Sequence, residues 1–282
     1  MLPYIHLGSL TIPTFGLFLW LGGVAAAYLL HRNFVRNGVK ADAISVVAVA
    51  MIAGVVGAKA WHELQNPAVM MRALHQVAEP GWHHPLEVLG GLLSWFREGF
   101  AWFGGLVAGV AVLMYQGHIK YDGIRAGAVR MLDLAAPAAA LGYGVGRIGC
   151  LTSGDGDYGI ATTLPWGVHI KDTALDPPRP NPPGLLVHPT PIYELLFGIA
   201  LAAYLWMRGK KNIPIGQLTG EYLIISGIGR FLVEFIRRNP RLYYGMSNAQ
   251  VAALLSSLAG VLLIAVARAR NRRPVEAEAT AA

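Results

Sequence analysis

Between Ala43 and Trp61 the chain reads AISVVAVAMIAGVVGAKAW, a stretch in which Lys59 is the only charged side chain. A helix rises 1.5 Å per residue, so a segment of this length crosses roughly 30 Å of hydrocarbon. Lipid offers the backbone no water, and a helix satisfies its own amides there. Six further stretches have the same character: Ile12 to Leu30, Phe100 to Tyr115, Met131 to Cys150, Ile192 to Met207, Gln217 to Phe235 and Val251 to Ala267. The third, fifth and seventh in chain order are short, which predicts tilt or local thinning of the bilayer. The reading is an all-α, polytopic membrane protein with about seven transmembrane helices. Residues 1–268 form one membrane-embedded domain with a long outer loop at about 152–189. The Ala/Glu-rich tail 269–282 reads as cytoplasmic and disordered.

Composition agrees with this solvent. Of 282 residues, 54% are hydrophobic and 14% charged, outside the range of an ordinary soluble domain. The single cysteine, Cys150, excludes a disulfide framework, a multi-cysteine zinc site and an iron–sulfur cluster. His62-Glu63 lacks the second histidine of a zinc-protease helix, since position 66 is Asn66; Asp155 and Asp157 lack the remaining ligands of a calcium loop. No metal or other cofactor is expected. The net charge of +7 sits in short basic clusters between apolar runs, a pattern that suits anionic lipid and not nucleic acid.

Those clusters set the orientation. Arg32, Arg36 and Lys40, then Lys120, Arg125 and Arg130, then Arg208, Lys210 and Lys211, and finally Arg268, Arg270, Arg272 and Arg273 make up 13 of the 23 basic residues. They occupy alternate loops and the tail, which places the N-terminus out and the C-terminus in. No lysine or arginine precedes the first span, so a cleaved signal is not expected.

Charges inside spans cost roughly 2.5–3.5 kcal/mol each on insertion scales and usually mark paired or functional groups. Lys59, Arg147, Arg230 and Glu234 all fall in the outer halves of their spans, which predicts that they converge on one leaflet. Arg230, Glu234 and Arg237 follow the i, i+4, i+7 spacing of one helical face, and an intrahelical ion pair accounts for part of that pattern. Arg147 adds a second guanidinium from another span. Two arginines at matching depth leave surplus positive charge, and guanidinium forks fit phosphate oxygens. Gly146 and Gly149 flank Arg147 and continue into a Gly- and Asp-rich run, whose backbone amides are expected to approach a phosphate; close helix packing is the plainer reading of each glycine. His188-Pro189 opens the fifth span, with His188 either a base or an interfacial hydrogen-bonding residue. Cys150 reads as a core residue more readily than as a nucleophile.

These residues together resemble bacterial prolipoprotein diacylglyceryl transferase. The resemblance rests on Gly146-Arg147-Ile148-Gly149, on His188-Pro189 followed by Tyr193-Glu194, and on Arg230-Phe231 followed by Glu234-Phe235 and Arg237. Phe103-Gly104-Gly105-Leu106 and Asp133 with Ala136-Pro137 fall in the family's order as well. It implies a multi-pass enzyme of the bacterial inner membrane. Such an enzyme moves the diacylglyceryl group of phosphatidylglycerol onto the lipobox cysteine of a prolipoprotein signal peptide and releases glycerol-1-phosphate. It further implies that Arg147 and Arg230 clamp the phosphate, that Asp155, His188 and Glu234 serve the chemistry, and that Tyr193, Glu194, Arg237, Gly104 and Gly105 support the site.

Departures from the family's pattern bear on the base. Cys150 and Ser153 stand where the family's run carries asparagines, and Phe103, Phe15 and Ser226 stand where it commonly has proton-bearing side chains. Asp155, Asp157, His188 and His62 remain as candidates for that duty. Two rival readings are a relative acting on another lipid or acceptor and a non-catalytic phospholipid-binding protein or transporter. Few ionisable groups beyond Glu221 lie at the inner ends of these spans, which weighs against a polar path across both leaflets.

Overall fold

The computed structural model describes residues 2–8, 10–79, 83–97, 99–120, 124–154, 157–169 and 185–281. A hairpin of β1 (Tyr4–Leu7) and β2 (Leu10–Pro13) leads into α1 (Thr14–Arg36), followed by α2 (Ala43–Gln65), α3 (Pro67–Ala78), α4 (Pro85–Arg97), α5 (Trp102–Lys120) and α6 (Ile124–Ser153). Then come β3 (Val168–His169), β4 (Leu186–Val187), α7 (Thr190–Arg208), α8 (Gln217–Val233), β5 (Arg241–Tyr243), β6 (Met246–Ser247) and α9 (Asn248–Ala281). Every expected span falls on one of these helices, and the protein is a multi-pass, all-α membrane protein. Among the described residues, six helices are long and apolar enough to cross a bilayer. The sixth expected span in chain order, Gln217 to Phe235, is shorter than predicted: α8 has 17 residues and passes at Glu234 into a 3-10 turn that ends at Ile236. α9 runs on into the Ala/Glu-rich segment, whose composition favours a helix.

The chain divides into two compact units, residues 1–44 with 129–282 and residues 45–128. In the first, a core of Ala136, Ala140, Leu201, Ala202, Leu205 and Leu218 joins α6, α7 and α8. Polar contacts tie its helices to one another. Asn33 Nδ2 donates to the Leu134 carbonyl at 2.7 Å, tying α1 to α6. The Asp133 carboxylate accepts from the Gly216 amide at 2.6 Å and from the Thr219 amide and hydroxyl at 2.7 and 2.6 Å, so α6 caps the start of α8. Gly216, at φ +97°, makes the left-handed turn into that cap. Arg208 and Glu221 pair between α7 and α8 at 3.1 Å. Large apolar side chains such as Leu19, Trp20, Val24 and Tyr28 of α1 face outward, as lipid-facing residues do.

In the second unit, α2 and α5 approach closely at glycines: a Cβ on Gly104 would lie 2.2 Å from the Gly57 carbonyl oxygen. Lys59 Nζ lies 2.7 Å from Glu63 Oε1, donates to the Trp95 carbonyl at 2.6 Å and sits 4.5 Å from the Trp95 ring centre. Within this unit Glu63 supplies the counter-ion of Lys59. α3 and α4, which fall in a stretch read only as loop, are helices too short to span and carry exposed apolar side chains.

Candidate active site

α6 and α7 are the elements that bring charge together. A Cβ on Gly198 would lie 2.9 Å from the Gly144 Cα, so the two helices meet almost backbone to backbone. On α6 Tyr143 adjoins that crossing and Arg147 stands about one turn beyond it, and one turn before it on α7 stands Glu194. Arg147 Nη2 reaches Glu194 Oε2 at 2.5 Å, and the Tyr143 hydroxyl donates to Glu194 Oε1 at 2.6 Å. From α8, Arg230 Nη1 donates to the same Oε1 at 2.7 Å, while its Nη2 lies 2.9 Å from Glu234 Oε2. Two guanidinium groups from different helices thus meet around one oxyanion, and that oxyanion is a carboxylate of the protein.

A third arginine joins them. Because α8 gives way to a 3-10 turn, Arg237 leaves the helix in extended conformation and does not continue the face predicted from its spacing. Its Nη1 still reaches Glu194 Oε2 at 3.2 Å, and its Nη2 pairs with Asp157. Asp157 Oδ2 also accepts from Arg147 Nη1 at 2.6 Å. Three arginines therefore face three carboxylates, Asp157, Glu194 and Glu234. The expected surplus of positive charge is corrected, since α7 and the loop after α6 contribute acids that the span-by-span count left out.

Small backbone pairings hold Asp157 in place. Gly159 bridges Arg237 and Ala161 bridges Val187, so the chain after α6 lies between the residues before α7 and those after α8. Ile160 donates to the Ile236 carbonyl at 2.8 Å, and His188 donates to the Ile160 carbonyl at 3.1 Å. Buried Tyr158 reaches back to the Leu151 carbonyl at 3.2 Å. Burial raises the pKa of the Asp157 carboxyl, but the guanidinium groups of Arg147 and Arg237 outweigh it and hold the acid below its ordinary range.

The network is nearly closed to solvent. The Arg147 side chain is 11% exposed, Glu194 5% and Glu234 0%, whereas Arg230 and Asp157 are each 28% exposed and form its open edge. Glu234 is enclosed by Arg230, by the Ser247 hydroxyl at 2.8 Å and by Asn239 Nδ2 at 2.5 Å. The buried Arg147 Nε has no hydrogen-bond acceptor among the described residues. A Cys150 Sγ lies 3.2 Å from Arg147 Nη1.

Other expected residues fall elsewhere. His188 Nδ1 lies 3.1 Å from the Tyr193 hydroxyl, which accepts from Trp166 Nε1 at 2.8 Å. These three form a chain of their own in the same unit. Asp155 lies outside the described residues. Gly104, Gly105 and His62 belong to the other unit, where the glycines serve helix packing. From Gly146 to Ser153 the run is helical and not a loop: α6 continues to Ser153, Gly149 lies against Phe15 and Phe18, and Gly154, at φ +76°, ends the helix. Tyr143 was not anticipated, and Asp157, expected only as a candidate base, instead joins two arginines. Tyr143 carried a signal, since it precedes Arg147 by four residues on the same helical face.

The family model described as prolipoprotein diacylglyceryl transferase matches residues 3–266. The chain is similar to the phosphatidylglycerol–prolipoprotein diacylglyceryl transferase of Clostridium tetani, 30% identical over 95% of this chain and 98% of that protein. It is 30% identical to the enzyme of the same name from Bordetella avium over 96% of each chain. A second such transferase from Clostridium perfringens is 28% identical over 94% of both.

Proposed function

The chain belongs to the prolipoprotein diacylglyceryl transferase family, and we propose that it transfers the diacylglyceryl group of phosphatidylglycerol to the lipobox cysteine thiol of a prolipoprotein signal peptide. The names of its relatives supply the lipid and the protein acceptor. The observation that carries the reading for this chain is the meeting of Arg147 and Arg230, from α6 and α8, around a single oxyanion.

The chemistry needs such a centre. The acceptor thiolate attacks a glyceryl carbon, the carbon–oxygen bond to phosphate breaks, and the departing phosphate of glycerol-1-phosphate gains negative charge. Guanidinium donors fixed in a site poor in water stabilise that charge as it develops. Arg147 and Arg230 hold the phosphate; the lone Nε of Arg147 gives it a further donor. Glu234, sealed among Arg230, Asn239 and Ser247, positions Arg230 and does not touch substrate. Arg237 and Asp157 brace Arg147 from the other side. The acceptor thiol has an ordinary pKa near 8.5 and must lose its proton. His188, half-buried and oriented by Tyr193, is the proton acceptor that this reading assigns, with Asp155 as the alternative from the adjoining loop. The distribution of basic loops supports an N-terminus outside and a C-terminus inside the cytoplasmic membrane, and in this reading the site faces the outer leaflet.

The test is turnover by purified protein given phosphatidylglycerol and a lipobox peptide, following glycerol phosphate release and the mass gain of the peptide. Arg147→Ala and Arg230→Ala are expected to abolish both, and to fail in a strain depleted of its own transferase. Retained lipoprotein maturation by both variants overturns the assignment.

A further inference from the structure

Glu194 has more partners than a bracing residue needs. Its Oε1 accepts from Tyr143 at 2.6 Å and from Arg230 at 2.7 Å; its Oε2 faces Arg147 at 2.5 Å and Arg237 at 3.2 Å. Three hydrogen bonds and the close ion pair with Arg147 Nη2 engage both oxygens of the carboxylate.

The arginines, by contrast, do not depend on Glu194 alone. Asp157 already joins Arg147 to Arg237, one through each of its oxygens. Glu234 already holds Arg230 at 2.9 Å and lies 3.6 Å from Arg237 Nε. Every guanidinium thus keeps a second carboxylate if Glu194 lets go. Asp157 and Glu234 sit on the two flanks, and Glu194 is the anion shared by all three arginines.

A phosphodiester presents the same features as that shared carboxylate: one negative charge spread over two equivalent oxygens, each able to accept two hydrogen bonds. Replacing one by the other keeps both the charge balance and the number of donors served. Resting on the transferase reading above, we propose that Glu194 is a displaceable internal counter-ion. It holds the place that the lipid phosphodiester takes, and the substrate binds by exchange against it. The exposed edge at Arg230 is where the phosphate first meets the network, and Arg147, more deeply enclosed, is engaged as Glu194 yields. Glu194 then sets lipid affinity by competition, in addition to keeping the free arginines apart.

This role reverses the sign expected of a brace. Glu194→Gln keeps the shape but removes the competing charge, and Glu194→Asp keeps the charge but withdraws it by one methylene. Phosphatidylglycerol is titrated into phosphatidylethanolamine vesicles holding the wild-type protein, each Glu194 variant, Arg147→Ala or Arg230→Ala, with a lipobox peptide as acceptor. Exchange lowers the KM for phosphatidylglycerol about tenfold in Glu194→Gln, the equivalent of one charge-assisted hydrogen bond no longer contested. A smaller fall follows in Glu194→Asp, whatever happens to kcat. A KM unchanged or raised in both variants overturns the exchange and leaves Glu194 a brace. Thermal unfolding identifies any variant that fails to fold; Glu194→Asp then carries the test. Failure of the wild type to turn over, or full turnover by both arginine variants, sinks the transferase reading itself and not the exchange alone.

Discussion

Gly144 of α6 and Gly198 of α7 touch so closely that a Cβ on Gly198 would stand 2.9 Å from both the Gly144 Cα and the Ala140 carbonyl oxygen. That crossing fixes how far Arg147 must reach to meet Glu194. Gly198→Leu is expected to push the helices apart and lower kcat/KM by about a hundredfold, since a displacement of about 1 Å far from the reacting atoms has that effect. The purified variant, assayed beside its thermal unfolding curve, checks this.

Arg147 serves Asp157 through one terminal nitrogen and Glu194 through the other. Lysine carries the charge but presents one compact ammonium and no fork. Arg147→Lys is therefore expected to lose about two to three orders of magnitude in kcat, the usual effect of removing one oxyanion donor. Near-wild-type activity would show that charge alone suffices.

Asp157 ties two arginines and has a depressed pKa in the folded protein. The sign follows from linkage: its stabilisation is complete above the unfolded value near 3.9 and is lost as pH falls through the lower folded value. Asp157→Asn is expected to lower the melting temperature by about 2–4 °C at pH 7, for a loss on the order of 1 kcal/mol. The gap between the two proteins should close at strongly acidic pH. A gap that widens on acidification contradicts the assignment.

Cys150 Sγ accepts from Arg147 where the family's run carries an amide side chain. Cys150→Asn and Cys150→Ser keep an acceptor there, whereas Cys150→Val does not. The valine variant is expected to lose about tenfold in kcat/KM and the other two less, on the scale of one hydrogen bond to a charged group. Equal activities for all three would reduce Cys150 to packing.

The helical architecture was legible because each apolar run approached the length of a bilayer crossing, and most of every run lies on a helix. What escaped was shorter than that ruler. α3 and α4 lie beside the spans and carry too few residues to register as crossings. Arg147, Arg230 and Glu234 were readable as charges where lipid disfavours charge, Arg237 by its spacing and Glu194 through the resemblance, and they do assemble. Their balance was not readable, because Asp157 lies in a loop whose course depends on single bridges at Gly159 and Ala161. Lys59 obeyed the same rule as Arg147, yet Glu63, four residues on, pairs with it locally. A charge in a span announces a partner without saying which.

The three arginines cancel only when acids from α7 and from the segment after α6 stand beside those on the end of α8. During synthesis α8 emerges last among these elements, short and bearing Glu221 and Arg230. It cannot partition into lipid as an independent hydrophobic rod. Its integration waits on neighbours already made: Asp133 of α6 to receive its first turn, Arg208 of α7 to meet Glu221 and Glu194 of α7 to meet Arg230. Glu194 and Arg230, which belong to the proposed site, also serve membrane integration, so lesions at these positions should surface first as failures of biogenesis.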